Sequence, residues 1–269
     1  MATQPRVRLD ALLVEQGWAE SRERAKRLIM AGSVWCEGRR LDKPGVQVPA
    51  DSPLEVREDP CPFVSRGGLK LVGALDALHV DPCGLVCADI GASTGGFTDC
   101  LLQRGAARVH GVDVGKHQLH ARLREDPRVI NHEQVNARHL TSDSLPEPIE
   151  LVTIDVAFIS LGLILPAVAK ILAPDARALA LVKPQFEAGP SQVRRGVVRD
   201  PAVHRDILTR IQTTAEDLGW RWRGACPSPL RGPAGNQEYF ILWAVGASAG
   251  ADEPPSSWIT DVVAEAMGT

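Results

Sequence analysis

The chain is 269 residues long, 44% of them hydrophobic, and its formal net charge is −3 at pH 7. This length and apolar content exclude an intrinsically disordered protein and predict one medium-sized domain with a second, smaller one. The sequence contains no run of about eighteen apolar residues, and its start, MATQPRVRLD, lacks the apolar core of a signal peptide. We therefore expect a soluble, cytoplasmic protein that does not act on membranes.

The cysteines show no paired C-x-x-C spacing. They scatter over predicted strands and loops, at Cys36, Cys61, Cys83, Cys87, Cys100 and Cys226. This distribution predicts reduced structural thiols, with neither a disulfide framework nor a metal site.

The first 45 residues differ from the rest in charge. They contain nine Lys or Arg and six Asp or Glu, so their charge is +3 and that of the remainder is −6. Leucines at helical spacing from Leu9 stop at Gly17, and Ser21 caps a second helix over 22–30 that Gly32 ends. We expect a small basic module attached to an acidic body.

The second helix carries most of the charge of this module. Arg22 and Lys26 share one face, while Glu23 and Arg27 can pair on another. A solvated, salt-bridged helix would account for these charges by itself. A short strand over 34–37 and the pair Arg39-Arg40 follow the helix.

A turn of small residues follows a hydrophobic strand that begins at Leu85. The turn, Asp89-Ile-Gly-Ala-Ser-Thr-Gly-Gly-Phe-Thr98, opens a helix, where glycines allow close approach of a ligand and free N–H groups favour polar or anionic groups. A dinucleotide site would have glycine in place of Ser93, whereas an acidic residue at position 89 is typical of sites that hold the amino-acid end of S-adenosylmethionine. Asp113, at the end of the next strand, can accept both ribose hydroxyls of an adenosine. The pattern favours S-adenosylmethionine over NAD. The predicted cofactor-binding residues are Asp89, Gly91, Ser93, Thr94, Gly95, Gly96, Phe97, Asp113, Asn136 and Asp155.

The remainder alternates strands with helices, which predicts an α/β doubly wound sheet. The expected strands cover 85–89, 108–114, 129–131, 150–155, 177–182, 220–225 and 237–245. The expected helices cover 96–104, 119–125, 161–172 and 201–218. Right-handed crossovers would make the sheet parallel and place ligands at the carboxyl ends of its strands. Residues at or just beyond those ends, which should converge on one crevice, are Asp89, Asp113, Asn136, Asp155 and Lys183.

Two lysines and two carboxylates form a candidate catalytic group. Lys70 lies in the first turn of a predicted helix, where a lysine opposes the helix dipole. Asp155 ends a strand, Lys183 directly follows an apolar strand, and Glu238 opens the last strand. Each has an ordinary alternative as a surface charge or a structural ion pair, but their common placement at strand ends indicates function.

Five motifs run in order along the chain: S-R-G-G-x-K, D-x-G-A-S-T-G-G-F-T, D-V-A-F-I-S, L-V-K-P-Q-F-E and G-N-x-E-Y-F. With them the chain resembles, from Arg6 to Val245, the TlyA family, often named haemolysins, whose catalytic domain is similar to FtsJ-type ribose 2′-O-methyltransferases. The resemblance implies a Rossmann-like methyltransferase sheet and methylation of cytidine ribose in ribosomal RNA of the small subunit, the large subunit or both. It also implies a catalytic tetrad of Lys70, Asp155, Lys183 and Glu238. The loop over 189–198 is shorter than the glycine-rich loop of the family, which weakens the prediction of how that loop positions substrate.

The chemistry gives this tetrad a reason. A ribose 2′-hydroxyl is a weak acid and a sulfonium methyl is already activated, so the enzyme must chiefly remove a proton and align the attack, without a metal. Lys183 is the candidate base. Because the pKa of a lysine is ordinarily about 10.4, a second cation such as Lys70 or partial desolvation would have to lower that pKa, against the effect of the carboxylates. Asp155 would orient Lys183, and Glu238 would hold Lys70 or the ribose.

The amino-terminal module resembles the RNA-binding domain named after small-subunit ribosomal protein S-four. The motif runs from R-L-D-x-L-L-V-E-x-G through R-x-x-A-x-x-L-I-x-A-G-x-V. The resemblance implies contacts with RNA phosphates, which give affinity but little sequence selectivity. The expected RNA-binding residues are Arg6, Arg22, Lys26, Arg27, Arg40 and Arg66. We expect an S-four-like α+β domain over 1–57, a linker over 58–63, the methyltransferase domain over 64–246 and a tail over 247–269.

Three functions remain in competition at this stage: an RNA ribose methyltransferase acting on ribosomal RNA or subunits, a non-catalytic ribosome-binding or assembly factor, and a membrane-active haemolysin. Cofactor binding without methyl transfer would favour the second. The third has little support, because the sequence has neither a spanning segment nor a strongly amphipathic cationic helix. Within the first class, Phe158 and Phe186 do not exclude methylation of a base.

Overall fold

The computed structural model describes residues 5–57, 61–232, 234–246 and 254–268. The chain divides into two compact units, Met1–Arg66 and Gly67–Thr269. Each unit has a hydrophobic core of its own. Of the expected linker, residues 58–60 lie outside the described part of the chain.

The first unit packs two helices against short antiparallel strands. Its elements are β1 (Arg6–Arg8), α1 (Leu9–Glu15), α2 (Arg22–Ala31), β2 (Val34–Cys36), β3 (Arg39–Arg40), β4 (Gln47–Pro49) and β5 (Leu54–Val56). β1 pairs with β4, and the second sheet has the order β3-β2-β5. The sequence predicted α1, α2 and β2 but not β1, β4 or β5. Strands of three residues are too short to show alternation, and β2 was recognisable only from the glycines on either side of it, Gly32 and Gly38.

The caps predicted for α2 are confirmed. The Ser21 hydroxyl accepts a hydrogen bond from the Arg24 N–H at 3.2 Å, and Gly32 ends the helix in the left-handed conformation at φ 82°. Leu9, Leu12 and Leu13 of α1 are buried with Ile29 of α2 in the core of the unit. The helical spacing of these leucines therefore formed the buried face that the sequence analysis inferred.

The second unit is an α/β domain with helices around one large sheet. Its elements are α3 (Gly67–Ala77), β6 (Val86–Ile90), α4 (Gly96–Gln103), β7 (Arg108–Asp113), α5 (Ala121–Arg124), β8 (Val129–Glu133), β9 (Ile149–Ile154), α6 (Leu165–Val168), β10 (Leu172–Val182), α7 (Pro184–Glu187), α8 (Pro201–Asp217), β11 (Arg221–Pro227), β12 (Tyr239–Ala244) and α9 (Trp258–Met267). The seven strands have the order β11-β12-β10-β9-β6-β7-β8. The predicted Rossmann-like, doubly wound architecture is confirmed.

The sheet is mixed rather than wholly parallel, so the prediction of a parallel sheet is wrong for β12. This strand runs antiparallel to both β10 and β11. The other neighbouring pairs are parallel. The described parts of the connection from β11 to β12, 228–232 and 234–238, contain no helix, and a short connection without a crossover helix joins antiparallel strands.

The predicted continuous helix over 161–172 is also wrong. The segment contains a 3₁₀ turn at Leu161–Leu163, the short helix α6 and a second 3₁₀ turn at Ala169–Ile171. Pro166 has no N–H to donate within a helix, and it lies instead in the first turn of α6.

The end of the chain contributes to the core of the second unit. In α9, Trp258 packs on Trp222 with ring centroids 5.6 Å apart, and Val262 and Val263 are buried. Residues 247–253 and Thr269 of the expected tail lie outside the described part. Across the described ranges, every helix is too short or too polar to cross a bilayer. All six cysteines lie in the described ranges, and none of them forms a disulfide there.

Candidate active site

The candidate residues of the second unit gather at one edge of its sheet. β6, β7, β8, β9 and β10 all end there, and β12 begins there because it runs in the opposite direction. Asp155 and Lys183 follow β9 and β10 directly, and Glu238 immediately precedes β12. The edge therefore collects side chains from strands that are distant in sequence.

Asp89 lies beneath the glycine-rich turn and is fully buried. Its Oδ2 accepts hydrogen bonds from the Thr98 N–H at 2.9 Å and the Thr98 hydroxyl at 2.7 Å. Its Oδ1 is buried and has no hydrogen-bond partner among the described residues. Burial raises the pKa of Asp89 to about 7, against the Thr98 hydrogen bonds that lower it, and the charges of Asp155 and Asp113 raise it further. Such a carboxylate can receive a cationic N–H donor.

Asp113 is held in a fixed orientation at the end of β7. Its Oδ2 accepts from the Ser93 N–H at 2.9 Å, and its Oδ1 accepts from the Gly115 N–H at 2.6 Å. Asn136 is exposed. It lies close to Asp113, because the N–H of the preceding residue, Val135, donates to the Asp113 carbonyl at 2.9 Å. The Asn136 side chain caps a 3₁₀ turn by accepting from the Arg138 N–H at 3.1 Å.

The turn itself has no room for larger residues at two positions. A Cβ on Gly91 would collide with the carbonyl oxygen of Asp155, and one on Gly95 would collide with Leu119 and Leu123. Both glycines have positive φ values, of 88° and 93°, which L side chains rarely adopt.

The other predicted cofactor residues lie at two depths around this turn. Ser93 and Thr94 are half-buried, whereas Gly96 and Phe97 are buried. Phe97 stacks on Phe240 with ring centroids 6.0 Å apart. Its ring therefore packs in the protein interior.

Lys70 and Glu238 form an ion pair across 168 residues of sequence. The Lys70 Nζ lies 2.5 Å from Glu238 Oε2, and the side chains are only 13% and 1% exposed. Lys70 is in the first turn of α3, as predicted. Gln185 also donates to Glu238, from Nε2 to Oε1 at 3.1 Å. This amide was not anticipated from the sequence, because its contact depends on how α7 folds back toward β12.

Lys183 and Asp155 form a second ion pair. The Lys183 Nζ lies 2.5 Å from Asp155 Oδ1, with side-chain exposures of 13% and 22%. Val182 pairs with Tyr239 between β10 and β12, so Lys183 and Glu238 follow on neighbouring strands about 4.8 Å apart. The edge of the sheet thus carries two adjacent lysine–carboxylate pairs.

Two aromatic rings lie beside Lys183. Phe158 is 90% exposed and has a φ of 63°, which is an unfavourable conformation for an aromatic residue. Its ring centroid is 4.9 Å from that of Phe186, and the Lys183 Nζ is 5.8 Å from the Phe186 centroid. The sequence pointed to both rings but gave no indication of the exposure or the strained backbone.

Glu187 holds the segments that carry these rings. It is nearly buried, and its carboxylate accepts from the Ser160 hydroxyl and from the Leu161 N–H, each at 2.7 Å. The sequence did not single out this residue. It links α7, which contains Phe186, to the segment that follows Asp155 and Phe158.

Several basic residues expected to meet RNA in the first unit are already paired. Arg22 lies 2.9 Å from buried Asp10, and hydrogen bonds from Arg8 and Arg22 lower the pKa of Asp10 to about 2. Lys26 pairs with Glu23 at 3.1 Å. The expected pairing of Glu23 with Arg27 is therefore wrong, because Lys26 reaches the carboxylate one turn away.

The other expected RNA contacts fall into three situations. Arg6 donates to the Gln47 carbonyl at 2.5 Å. Arg27 is exposed on α2. Arg40 and Arg66 both border Gly32, whose added Cβ would lie 3.0 Å from Arg40 and 3.2 Å from Arg66.

Comparison with known families agrees with this arrangement. Residues 63–244 match the FtsJ-like methyltransferase family, and residues 7–52 match the S4 domain. The chain belongs to the FtsJ-like methyltransferase family. The resemblance inferred from the motifs is confirmed in both units.

Individual relatives extend over most of the chain. The 16S/23S rRNA (cytidine-2′-O)-methyltransferase TlyA of Mycobacterium tuberculosis is 47% identical over 88% of this chain and 89% of its own length. Hemolysin A of Brachyspira hyodysenteriae is 37% identical over 89% of this chain and its own full length. A solved structure from Streptococcus thermophilus that carries a hemolysin name has a TM-score of 0.77 and 42% identity, and it covers 99% of this chain and 97% of its own.

Proposed function

We propose that this FtsJ-like enzyme transfers a methyl group from S-adenosylmethionine to a ribose 2′-hydroxyl of ribosomal RNA, and that the methylated nucleotide is a cytidine. The observation that carries the proposal is the pair of lysine–carboxylate ion pairs beside a glycine-rich turn at one edge of the sheet. The relative from M. tuberculosis, named as a 16S/23S rRNA (cytidine-2′-O)-methyltransferase, supports the choice of substrate.

The residues around the turn fit S-adenosylmethionine. Asp89 has one buried oxygen without a partner, suited to the ammonium of the cofactor. Asp113 is oriented by two backbone N–H groups and keeps lone pairs for ribose hydroxyls. Gly91 and Gly95 give the turn its positive φ values and let it pack closely against Asp155, Leu119 and Leu123. When bound, the cofactor supplies an electrophilic methyl group on sulfonium.

Lys183 serves as the general base in this proposal. Its neutral amine would take up the proton that the 2′-hydroxyl loses when a C–O bond forms to the methyl group and the C–S bond of the sulfonium breaks to leave a neutral thioether. Asp155, whose Oδ1 lies 2.5 Å from the Lys183 Nζ, would hold the amine in place. Lys70, fixed by Glu238 and indirectly by Gln185, places a second positive charge near the developing oxyanion. Positioning of the hydroxyl against the methyl group supplies much of the remaining acceleration.

The rings of Phe158 and Phe186 provide a surface for the nucleobase. Phe158 is 90% exposed and packs on half-buried Phe186, whose ring centroid lies 5.8 Å from the Lys183 Nζ. RNA-binding proteins commonly stack unpaired bases on such rings. A base stacked there would bring its own ribose toward the lysine, which favours transfer to ribose over transfer to the stacked base.

The test is methyl transfer from labelled S-adenosylmethionine to isolated ribosomal subunits. Wild-type protein should label RNA of at least one subunit, and Lys183→Ala should abolish the label while cofactor affinity is retained. Lys170→Ala is the matched control, because Lys170 is exposed and precedes β10 at the opposite edge of the sheet. Cofactor binding by the wild type without any transfer to either subunit would refute the proposal and favour a non-catalytic ribosome-binding factor.

A further inference from the structure

Two loops beside Glu238 carry four exposed arginines, and Asp200, which follows the first loop, caps α8 by accepting from the Ala202 N–H. The segments 189–199 and 228–236 contain Arg194, Arg195, Arg199 and Arg231 but no Asp or Glu. All four side chains are exposed, and none lies within ion-pair distance of a carboxylate in the described ranges of the chain. We refer to these four residues as the arginine cluster. It stands out because residues 46–269 carry a net charge of −6.

A buried amide joins the two loops. Asn236 is 1% exposed, its Oδ1 accepts from the Val198 N–H at 3.0 Å, and its Nδ2 donates to the Gly196 carbonyl at 2.8 Å. His204 extends the connection, since its ring bonds to the Val198 carbonyl at 3.1 Å and to the Tyr239 hydroxyl at 2.7 Å. The position of the first loop is therefore fixed relative to β12.

The same loops adjoin the catalytic ion pair. Asn236 precedes Glu238 by two residues, and a Cβ on Gly232 would lie 2.5 Å from Glu238 Oε1. The Gly232 N–H donates to the Asn236 carbonyl at 2.9 Å. Loop positions fixed in this way place the arginine cluster next to the point at which a ribose would react.

The tip of the first loop is a strained position for arginine. Arg194 and Val197 exchange two backbone hydrogen bonds of 3.0 Å around Arg195 and Gly196, whose φ values are 51° and 79°. This is a two-residue turn of type I′, which favours Asn, Asp or Gly at its first central position. A bulky side chain there has an energetic cost, so the choice of arginine indicates a role for its exposed charge.

We infer that the arginine cluster binds phosphates of the RNA strand that flank the target nucleotide. Guanidinium groups bind phosphate oxygens bidentately, and the reacting ribose has a phosphate on each side. The net negative charge of the catalytic unit would repel RNA at short range. A local cluster of positive charges would offset that repulsion where the RNA strand enters the site. This inference rests on the proposed RNA substrate.

The test compares two double variants in full-length protein. Arg194→Gln with Arg195→Asn removes two charges from the cluster, and asparagine suits the left-handed position, so the melting temperature should be unchanged or higher. The matched control, Lys170→Gln with Arg221→Gln, also removes two exposed charges. Arg221 pairs with Ala244 at the end of β12 away from the catalytic edge.

Equilibrium binding of a ribosomal RNA fragment is measured as a function of salt. The cluster variant should bind roughly five- to thirty-fold more weakly at low salt and lose about one unit of salt slope per phosphate contact. Its affinity for S-adenosylmethionine should equal that of the wild type, and the control should keep wild-type RNA affinity and slope.

Two results would overturn the inference. One is a cluster variant that binds RNA with the same affinity and salt slope as the wild type. The arginines would then be assigned to an acidic protein partner and not to RNA. The other is equal weakening in the control, which would show a non-specific charge effect. Methyl transfer by the wild type is measured in parallel. Its absence would refute the proposed reaction while the binding comparison still decides whether the cluster contacts RNA.

Discussion

Ionisation of Asp89 should couple cofactor affinity to pH. In the folded chain without cofactor, burial raises the pKa of Asp89 from 3.8 to about 7. The raised pKa means that the folded state keeps a proton that the unfolded state loses above about pH 4, so this group reduces stability progressively as pH rises toward 7. Above pH 7 the full cost of holding the buried anion is on the order of 4 kcal/mol. A bound ammonium would offset part of that cost.

If only ionised Asp89 binds the cofactor, affinity should fall about eightfold between roughly pH 7.5 and pH 6. Isothermal calorimetry across that range, in two buffers of different ionisation enthalpy, should show proton release on binding at pH 6. Asp89→Asn should bind weakly at every pH yet raise the melting temperature of the cofactor-free protein near pH 8. Asp99→Asn removes another buried carboxylate, one that pairs with Arg122 at 2.7 Å, and should keep the wild-type pH profile. A flat profile in the wild type would refute the placement of the cofactor's ammonium at Asp89.

Three further substitutions or truncations test other parts of the account. Lys183→Arg should be as inactive as Lys183→Ala, because a guanidinium stays protonated, and turnover by the wild type should rise with pH. Substantial methyl transfer by the arginine variant in a single-turnover assay would exclude Lys183 as a general base. Asp113→Ala should weaken cofactor binding by about 1–3 kcal/mol in calorimetry. An unchanged affinity for S-adenosylmethionine would show that the end of β7 does not contact the cofactor. Removal of residues 1–60 should leave a folded protein that binds S-adenosylmethionine but loses RNA affinity and most of its salt dependence; full methylation of ribosomal RNA by the truncated protein would show that the first unit is not the RNA anchor.

The strands around the site could be predicted because each is a short apolar run that ends in a polar or glycine-rich segment. Ala178 to Val182 followed by Lys183 is one example, and Asp89 before Gly91 is another. In a doubly wound sheet, strand ends meet at one edge, so local pattern plus topology predicted which side chains would gather. The direction of β12 could not be predicted in this way, because the residue pattern of an apolar strand is the same whether the strand runs parallel or antiparallel to its neighbours.

Contacts that depend on long-range packing could not be predicted from the sequence. The sequence around Glu187 does not show that its carboxylate binds the distant backbone at Leu161. Nor does the sequence around Asn236 show that its amide binds the backbone of Gly196 and Val198. The exposure and positive φ of Phe158 likewise depend on how the chain leaves β9. These residues hold the loops around the candidate site. Sequence patterns therefore located the lysines and carboxylates more readily than the residues that support them.

The position of the transferred methyl group distinguishes ribose chemistry from base chemistry. A 2′-O-methyl group removes the hydroxyl that attacks the adjacent phosphodiester, so alkali cannot cleave RNA at that nucleotide. Ribosomal RNA labelled by the wild-type protein from radioactive S-adenosylmethionine should release its label after alkaline hydrolysis as a dinucleotide that contains 2′-O-methylcytidine. Label recovered in mononucleotides, as a methylated base, would contradict the assignment of Lys183 and its partners to ribose chemistry.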